Sequence, residues 1–233
     1  MTPTIGILKP GSTFADMIVR FGDYDAWFVR TLGTGVPTRV YGPEDRLPSR
    51  DAADAWIITG ARTSVLDEDP QVGRLLEWIR GLVEEEIPLL GVCYGHQAVA
   101  AALGGRVEQH PEGWELGTVE VELTEAGRSD ALFAGFPPRF PVQTTHQDQV
   151  AEPPPGAVTL ARNDHSAFQA LAIGRRCRTV QFHPEVDTAI AQDFVSRRRH
   201  LAGPAPVVAD APLGGRVLAN FVKGFVAVTE TAS

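Results

Sequence analysis

Ile87-Pro88-Leu89-Leu90-Gly91-Val92-Cys93-Tyr94-Gly95-His96-Gln97-Ala98-Val99-Ala100 reads as a strand, a tight turn and a helix. The apolar run is too short for a helix and is opened by a proline, whereas the segment after the turn has good helix propensity. A side chain at the apex of such a turn stands clear of the backbone. Glycines two residues before and after it let strand and helix approach without a clash. Cys93 holds that apex. The first amides of the helix, at the positive end of its dipole, favour thiolate over thiol and favour an oxyanion formed nearby. Both effects serve acyl transfer. The competing reading is a cysteine buried as a small hydrophobe at the end of a core strand.

A thiolate in acyl transfer needs a base, and the base needs an orienting group. Of the six histidines, His183 stands in a comparably organised context, Arg178-Thr179-Val180-Gln181-Phe182-His183-Pro184-Glu185. Thr179, Val180 and Phe182 read as a buried strand with His183 at or just past its end. Pro184 restricts His183 to an extended conformation, in which residues two apart project to the same side, so Glu185 reaches the ring. Alone, a His-Pro-Glu tripeptide reads as a solvated strand end. Beside Cys93 it reads as a Cys, His, Glu set in which Glu185 fixes the tautomer and His183 carries the proton.

Gly91-Val92-Cys93-Tyr94-Gly95-His96-Gln97 and Gln181-Phe182-His183-Pro184-Glu185 together resemble the class I glutamine amidotransferases, whose signatures are G-x-C-x-G-x-Q and Q-F-H-P-E. Gly113-Trp114-Glu115-Leu116-Gly117, Thr145-His146-Gln147-Asp148 and Phe168-Gln169-Ala170 make the chain most similar to the free-standing, GMP-synthase-like branch. The resemblance implies an α/β fold, flavodoxin-like, with a mostly parallel central sheet flanked by helices and additional antiparallel strands. It also implies that Cys93 is the nucleophile, His183 the base and Glu185 its partner, and that Gln97 contacts substrate. The loop around Trp114 lies near the glutamine pocket in this family, and the histidine matching His146 approaches the site from the side; a satisfied structural histidine is the other reading of His146.

The composition fits this expectation. A chain of 233 residues suits one well-buried α/β domain, here 1–233, better than two. With 43% hydrophobic and 21% charged residues it is ordinary globular material. A net charge of -8 argues against nucleic acid as the main partner. Two cysteines far apart give no disulfide framework and suit a reducing cytosol. No signal-like segment opens the chain and no apolar run approaches the ~20 residues of a membrane span, so a cytoplasmic protein is expected. The lack of a short-spaced C-x-x-C cluster leaves no expected metal site.

The remaining chain supplies a β, α, β, β rhythm, which implies a parallel sheet with ligands beyond the carboxyl ends of its strands. Thr4 to Leu8, Thr38 to Tyr41 and Ala55 to Thr59 read as strands. Ser12 ends a turn as a helix cap, and Phe14 to Leu32 reads as an amphipathic helix broken near Gly22, its aromatics core. Gly60 leaves the third strand at the ligand edge, where its amide can supply one oxyanion donor and Tyr94 N–H the other; an ordinary strand-end glycine is the alternative. Ala61-Arg62-Thr63-Ser64 departs from the Gly-Pro loop usual in the family. Asp67-Glu68-Asp69-Pro70 starts a helix that stops before Pro88. Alternation from Arg106 to Val150 predicts antiparallel strands beside the parallel sheet. Phe168 to Ala172 and Thr179 to His183 form a hairpin, with Cys177 inert at its second strand. His165 sits exposed in a polar loop. Ala189 to Leu201 is helical, and its closing Arg197-Arg198-Arg199-His200 suits the negative end of the dipole. Gly203 to Pro212 is loop, Gly215 to Val228 a last helix, and Thr229 to Ser233 a frayed end.

The expected chemistry is release of ammonia from glutamine, or of an amine from a γ-glutamyl compound, with no metal or organic cofactor. The sequence has no G-x-x-x-x-G-K-[ST] loop to cradle phosphates. Ammonia therefore goes to a separate synthetase subunit, or the protein is a γ-glutamyl peptidase or hydrolase acting alone. A non-catalytic binding protein that retains the pocket is the reading from a different class.

Overall fold

The computed structural model describes residues 2–43, 46–202 and 205–226. In chain order its elements are β1 (Ile5–Leu8), α1 (Ala15–Phe21), α2 (Tyr24–Leu32), β2 (Thr38–Tyr41), β3 (Ala55–Ile58), α3 (Pro70–Glu84), β4 (Leu89–Val92) and α4 (Tyr94–Ala102). There follow β5 (Arg106–Gln109), β6 (Glu115–Leu123), α5 (Glu125–Ser129), β7 (Arg139–His146), β8 (Asp148–Glu152), β9 (Val158–Arg162), β10 (Ala170–Ile173), β11 (Cys177–Val180), α6 (Thr188–Arg198) and α7 (Gly214–Phe221).

Among the described residues, nine strands form one sheet in the order β2-β1-β3-β4-β11-β10-β9-β6-β7. Neighbours are parallel from β2 to β11 and antiparallel from β11 to β7. β1, β3, β4 and β11 are buried on both faces, as near-continuous apolar strands covered by helices must be. Successive side chains go to opposite faces. Ile5, Ile7, Ile57, Leu90, Val92 and Val180 pack with Phe28 of α2 and Val217, Leu218 and Phe221 of α7. Leu8, Trp56, Ile58 and Leu89 pack with Leu75, Ile79 and Leu82 of α3 and Ala98 and Val99 of α4. A third cluster joins Met17, Tyr24 and Trp27 to Ile190 and Phe194 of α6.

The helix expected over residues 14–32 is broken where glycine predicts: Gly22 has φ +82°, and Asp23 restarts the chain as the cap of α2. Ser12 does not cap α1; Phe14 holds that position without a side-chain bond, and the Thr13 amide donates to Asp23 Oδ1 at 2.9 Å. Asp69 caps α3 with Pro70 in its first turn. Between Arg106 and Val150 the sequence reading is only partly matched. β6 and β7 join the main sheet, whereas β5 and β8 pair as a separate ribbon, and the short α5 between β6 and β7 carries too little periodicity to be read in advance. α7 runs on into a π-helical turn over Val222–Val226. Residues 203, 204 and 227–233 lie outside the described residues, including the expected frayed end.

Candidate active site

Cys93 follows β4 directly and adopts φ 52° and ψ -102°. A positive φ is unfavourable for a residue with a Cβ, at a cost of about 1–3 kcal/mol, and persists only where the surroundings enforce it. Here they do. Cys93 N–H donates to Val180 O at 2.9 Å, and Cys93 O accepts from Gln97 N at 3.1 Å, opening α4. A Cβ on Gly91 would lie 2.6 Å from Gly95 O, and one on Gly95 would lie 2.3 Å from Ile58 O. Both glycines are therefore needed for the strand and helix to meet at this angle.

β11 is the parallel neighbour of β4 with Val180 opposite Val92, so the chains leaving both strands start side by side. The segment after Val180 is pinned by His183 N–H donating to Gln143 O of β7 at 2.8 Å. His183 Nδ1 lies 2.7 Å from Glu185 Oε1, both side chains shielded from solvent. Tyr24 stacks on the imidazole at 6.4 Å. Gly60, at the end of β3, completes the group: a Cβ there would meet His183 Cε1 at 2.8 Å and Cys93 Cβ at 3.7 Å. Burial opposes a charge on His183, but the Glu185 carboxylate and the Cys93 sulfur outweigh it and push the pKa up to about 10. Burial, followed by the charge at Cys93, pushes the Tyr24 hydroxyl well above its ordinary range.

A cleft of about 180 Å³ opens over Cys93 and His183, bordered by Tyr24, Gln97, Trp114, His146 and Arg198. Tyr94 also borders it, although its ring packs with the α3 side of the core. Gln97 is buried and donates through Nε2 to Asp148 O at 2.8 Å and to Gln181 Oε1 at 3.2 Å. These bonds tie α4 to β8 and to the segment leading to His183. His146 is buried with both ring nitrogens facing acceptors, Glu115 Oε2 at 2.8 Å and Asp148 O at 3.0 Å. Burial resists ionisation of Glu115, but His146, Asn163 and Gln169 hold its pKa below the ordinary value. The ring of His146 thus braces the loop that walls the cleft. A second cleft of about 660 Å³ lies beyond Tyr94 and shares Thr63, Ser64 and Tyr94 with the first.

Cys177 is elsewhere, enclosed in the core, where burial pushes its thiol up to about 12 with Arg178 opposing. His165 is half-buried rather than exposed, because its ring stacks on His110 at 3.8 Å. Among the described residues, His110, Glu112 and His165 bring potential metal-ligand atoms within 4.8 Å of one another. His110 is already committed. Its Nδ1 accepts from Glu112 N–H at 3.0 Å and its Nε2 donates to His165 O at 2.7 Å, leaving no free lone pair. Two remaining donors fall short of the three or four protein ligands of a zinc site.

Tyr24 and Arg198 border the cleft without having been singled out for it from sequence. Tyr24 shares the amphipathic pattern of a core helix, and Arg198 sits in a basic run that helix-end electrostatics already explains. The departure at Ala61-Arg62 was the available signal, since Arg62 reaches the same cleft.

A strained cysteine thus lies between strand and helix, with an imidazole–carboxylate pair and a glycine backbone gathered around it. Residues 32–198 match the family model for glutamine amidotransferase class-I, and the chain belongs to that family. It is 28% identical to a glutamine amidotransferase-like protein of Schizosaccharomyces pombe over 82% of each chain. It is 35% identical over 73% of its length to a glutamine-hydrolyzing GMP synthase of Pyrobaculum aerophilum, of which it spans 32%. The chain thus covers about a third of that relative's length. The crystal structure of a glutamine amidotransferase from Thermotoga maritima has the same fold, with a TM-score of 0.73 at 18% identity, covering 97% of this chain and 99% of the other. Among the described residues no helix is long and apolar enough to cross a membrane.

Proposed function

We propose that the chain acts as one amidotransferase-like domain that hydrolyses the side-chain amide of glutamine through a γ-glutamyl thioester. Cys93 attacks the γ-carbonyl, and the backbone N–H groups of Gly60 and Tyr94 receive the oxyanion. His183, held by Glu185, protonates the departing nitrogen as the C–N bond breaks, and ammonia leaves. Water, deprotonated by His183, then attacks the thioester; glutamate leaves and the thiol is restored. The observation that carries this reading is the meeting of Cys93, Gly60 and the His183–Glu185 pair in one cleft. The raised pKa of His183 supports its role as proton donor to the leaving group.

Relatives named as glutamine-hydrolyzing GMP synthases support transfer of the ammonia to a separate synthetase subunit. A second reading, a stand-alone γ-glutamyl peptidase or hydrolase, is favoured by the 660 Å³ cleft beyond Tyr94, which adjoins the cleft of Cys93 through Thr63, Ser64 and Tyr94 and has room for a leaving group much larger than ammonia. Glutamate release by the purified protein from glutamine and from γ-glutamyl peptides and amines, with Cys93→Ala as control, separates them. Weak Cys93-dependent turnover of glutamine alone supports the subunit; strong turnover of a peptide or amine conjugate supports the hydrolase. Turnover that survives Cys93→Ala sinks both.

A further inference from the structure

Three consecutive arginines close α6, and their surroundings differ. Arg197 is neutralised by Asp16 and Asp193, and Arg199 is exposed. Arg198 borders the cleft of Cys93 and has no ion-pair partner among the described residues. Its guanidinium lies 4.8 Å from the Trp114 ring centre and 5.1 Å from that of Phe194, and Nη1 donates to Thr145 Oγ1 at 2.6 Å. Arg62, 4.0 Å over the Phe14 ring, borders the same cleft, again with no ion pair among the described residues. Among the described residues, the one carboxylate on this cleft, Asp148, already accepts from the Ser64 hydroxyl.

A half-buried guanidinium has five donors in a planar fork. Aromatic faces and one hydroxyl leave most of them unused, and partial desolvation without a counter-charge is unfavourable. Burial accordingly holds the Arg198 pKa below its ordinary value, with Tyr24 and Cys93 acting the other way. A planar carboxylate satisfies this arrangement through paired, charge-assisted bonds. A glutamyl substrate carries one such group, at the end opposite the γ-carbonyl. With the γ-carbonyl at Cys93 and the leaving nitrogen toward His183, the α-carboxylate is the end left to meet the cleft wall.

We propose that Arg198 is a specificity-determining residue that binds the α-carboxylate of the glutamyl substrate. The assignment rests on the glutamine-hydrolysing reading. It explains why a helix-end arginine is turned away from the carboxylates that hold Arg197, and why Trp114 sits in the cleft wall as a platform for it.

The test is calorimetric binding of L-glutamine and of its α-amide to Cys93→Ala protein, alone and combined with Arg198→Gln or Arg198→Lys. Arg198→Gln is expected to weaken L-glutamine by roughly 10- to 100-fold, the range of a charge-assisted hydrogen bond, while leaving the α-amide unchanged. Arg198→Lys, which keeps the charge and loses the fork, falls between. In the Cys93 enzyme the same change appears in KM, with kcat within a few-fold. Unchanged glutamine binding, or equal loss for both compounds, overturns the proposal. A loss confined to γ-glutamyl peptides whose leaving group carries a carboxylate also overturns it, moving the guanidinium to the other half of the substrate. If neither compound binds before residue 198 is changed, and a glutamine-like diazo-ketone fails to label Cys93, the glutamine reading itself falls and this assignment with it.

Discussion

The two cysteines lie at opposite ends of the same pair of neighbouring parallel strands. Cys177 opens β11 opposite Leu89, at the entry end of β4, whereas Cys93 stands one residue past β4 at the exit end. At the entry end the thiol is enclosed by apolar side chains and its pKa is pushed up to about 12. At the exit end the backbone turns sharply, a helix begins, and His183 and Gly60 arrive from the adjoining strand ends. The same side chain is a core filler in one place and a candidate nucleophile in the other. The difference lies in strand polarity, because only the carboxyl edge of a parallel sheet gathers loops and helix N-termini around one point.

The largest test of this contrast is substitution of each thiol. Cys93→Ala is expected to reduce glutamate release by roughly 10⁴-fold or more, as loss of a nucleophile does. Cys177→Ala is expected to cost only about 1 kcal/mol of stability through a small core void and to leave kcat/KM within a few-fold. A glutamine-like diazo-ketone should label the Cys93 peptide and spare that of Cys177, as read by mass. Labelling at Cys177 would reverse the assignment.

Next in size is Gly95→Ala. Its Cβ would meet the backbone oxygen of Ile58 at 2.3 Å, so the strand and helix must separate, at an expected cost of about 3 kcal/mol or more in denaturant unfolding. A stable, fully active variant would show that the elbow does not depend on glycine. A smaller effect is expected for Glu185→Gln, which keeps a hydrogen-bonding group and removes the charge. Turnover should fall by roughly 10²- to 10⁴-fold, less than for Cys93→Ala. The His183 titration, followed by NMR, should also move down from about 10, since Glu185 is the main group raising it. A loss equal to that of Cys93→Ala, or an unmoved His183 titration, would mean that Glu185 does more or less than orient and charge the ring.

The smallest effect sharpens a parallel contrast between two buried histidines. His183, beside a carboxylate, is pushed up, whereas His96, buried against Thr179 Oγ1 at 2.7 Å, is pushed down to about 3 by burial and then by His146. The folded state therefore resists protonation of His96 while the unfolded chain accepts a proton below about pH 6.5. Between about pH 6.5 and 3 the unfolded state binds more protons, so stability from this group is present above that window and is lost as pH falls. Its slope reaches at most about 1.4 kcal/mol per pH unit. His96→Asn, which keeps a polar atom near Thr179, should flatten that acid limb in unfolding curves. An unchanged limb would show that His96 is not the group responsible.

Cys93, its flanking glycines and the His183–Glu185 pair were legible in the sequence because each is a local device. A strand, a tight turn and a helix within fourteen residues announce the elbow, and proline between His183 and Glu185 sets their two-residue spacing. The parallel sheet was legible from short apolar runs alternating with helical ones. The β5–β8 ribbon was not, since alternation identifies strands but not their partners. Nor could helical periodicity show that Tyr24, in an apolar pattern, stacks on His183, or that Arg198, in a basic run, lies over Trp114.

The sequence by itself determined the local devices: a cysteine at the apex of a strand-to-helix turn and an imidazole two residues from a carboxylate. Only the tertiary structure decided what stands around them. Gly60 faces His183 because β3, β4 and β11 are neighbours in register, and Arg198 faces the cleft because α6 packs against α1 and α2. Those placements depend on contacts between residues far apart in the chain, whose geometry is set by how the helices cover the sheet and not by any spacing along it.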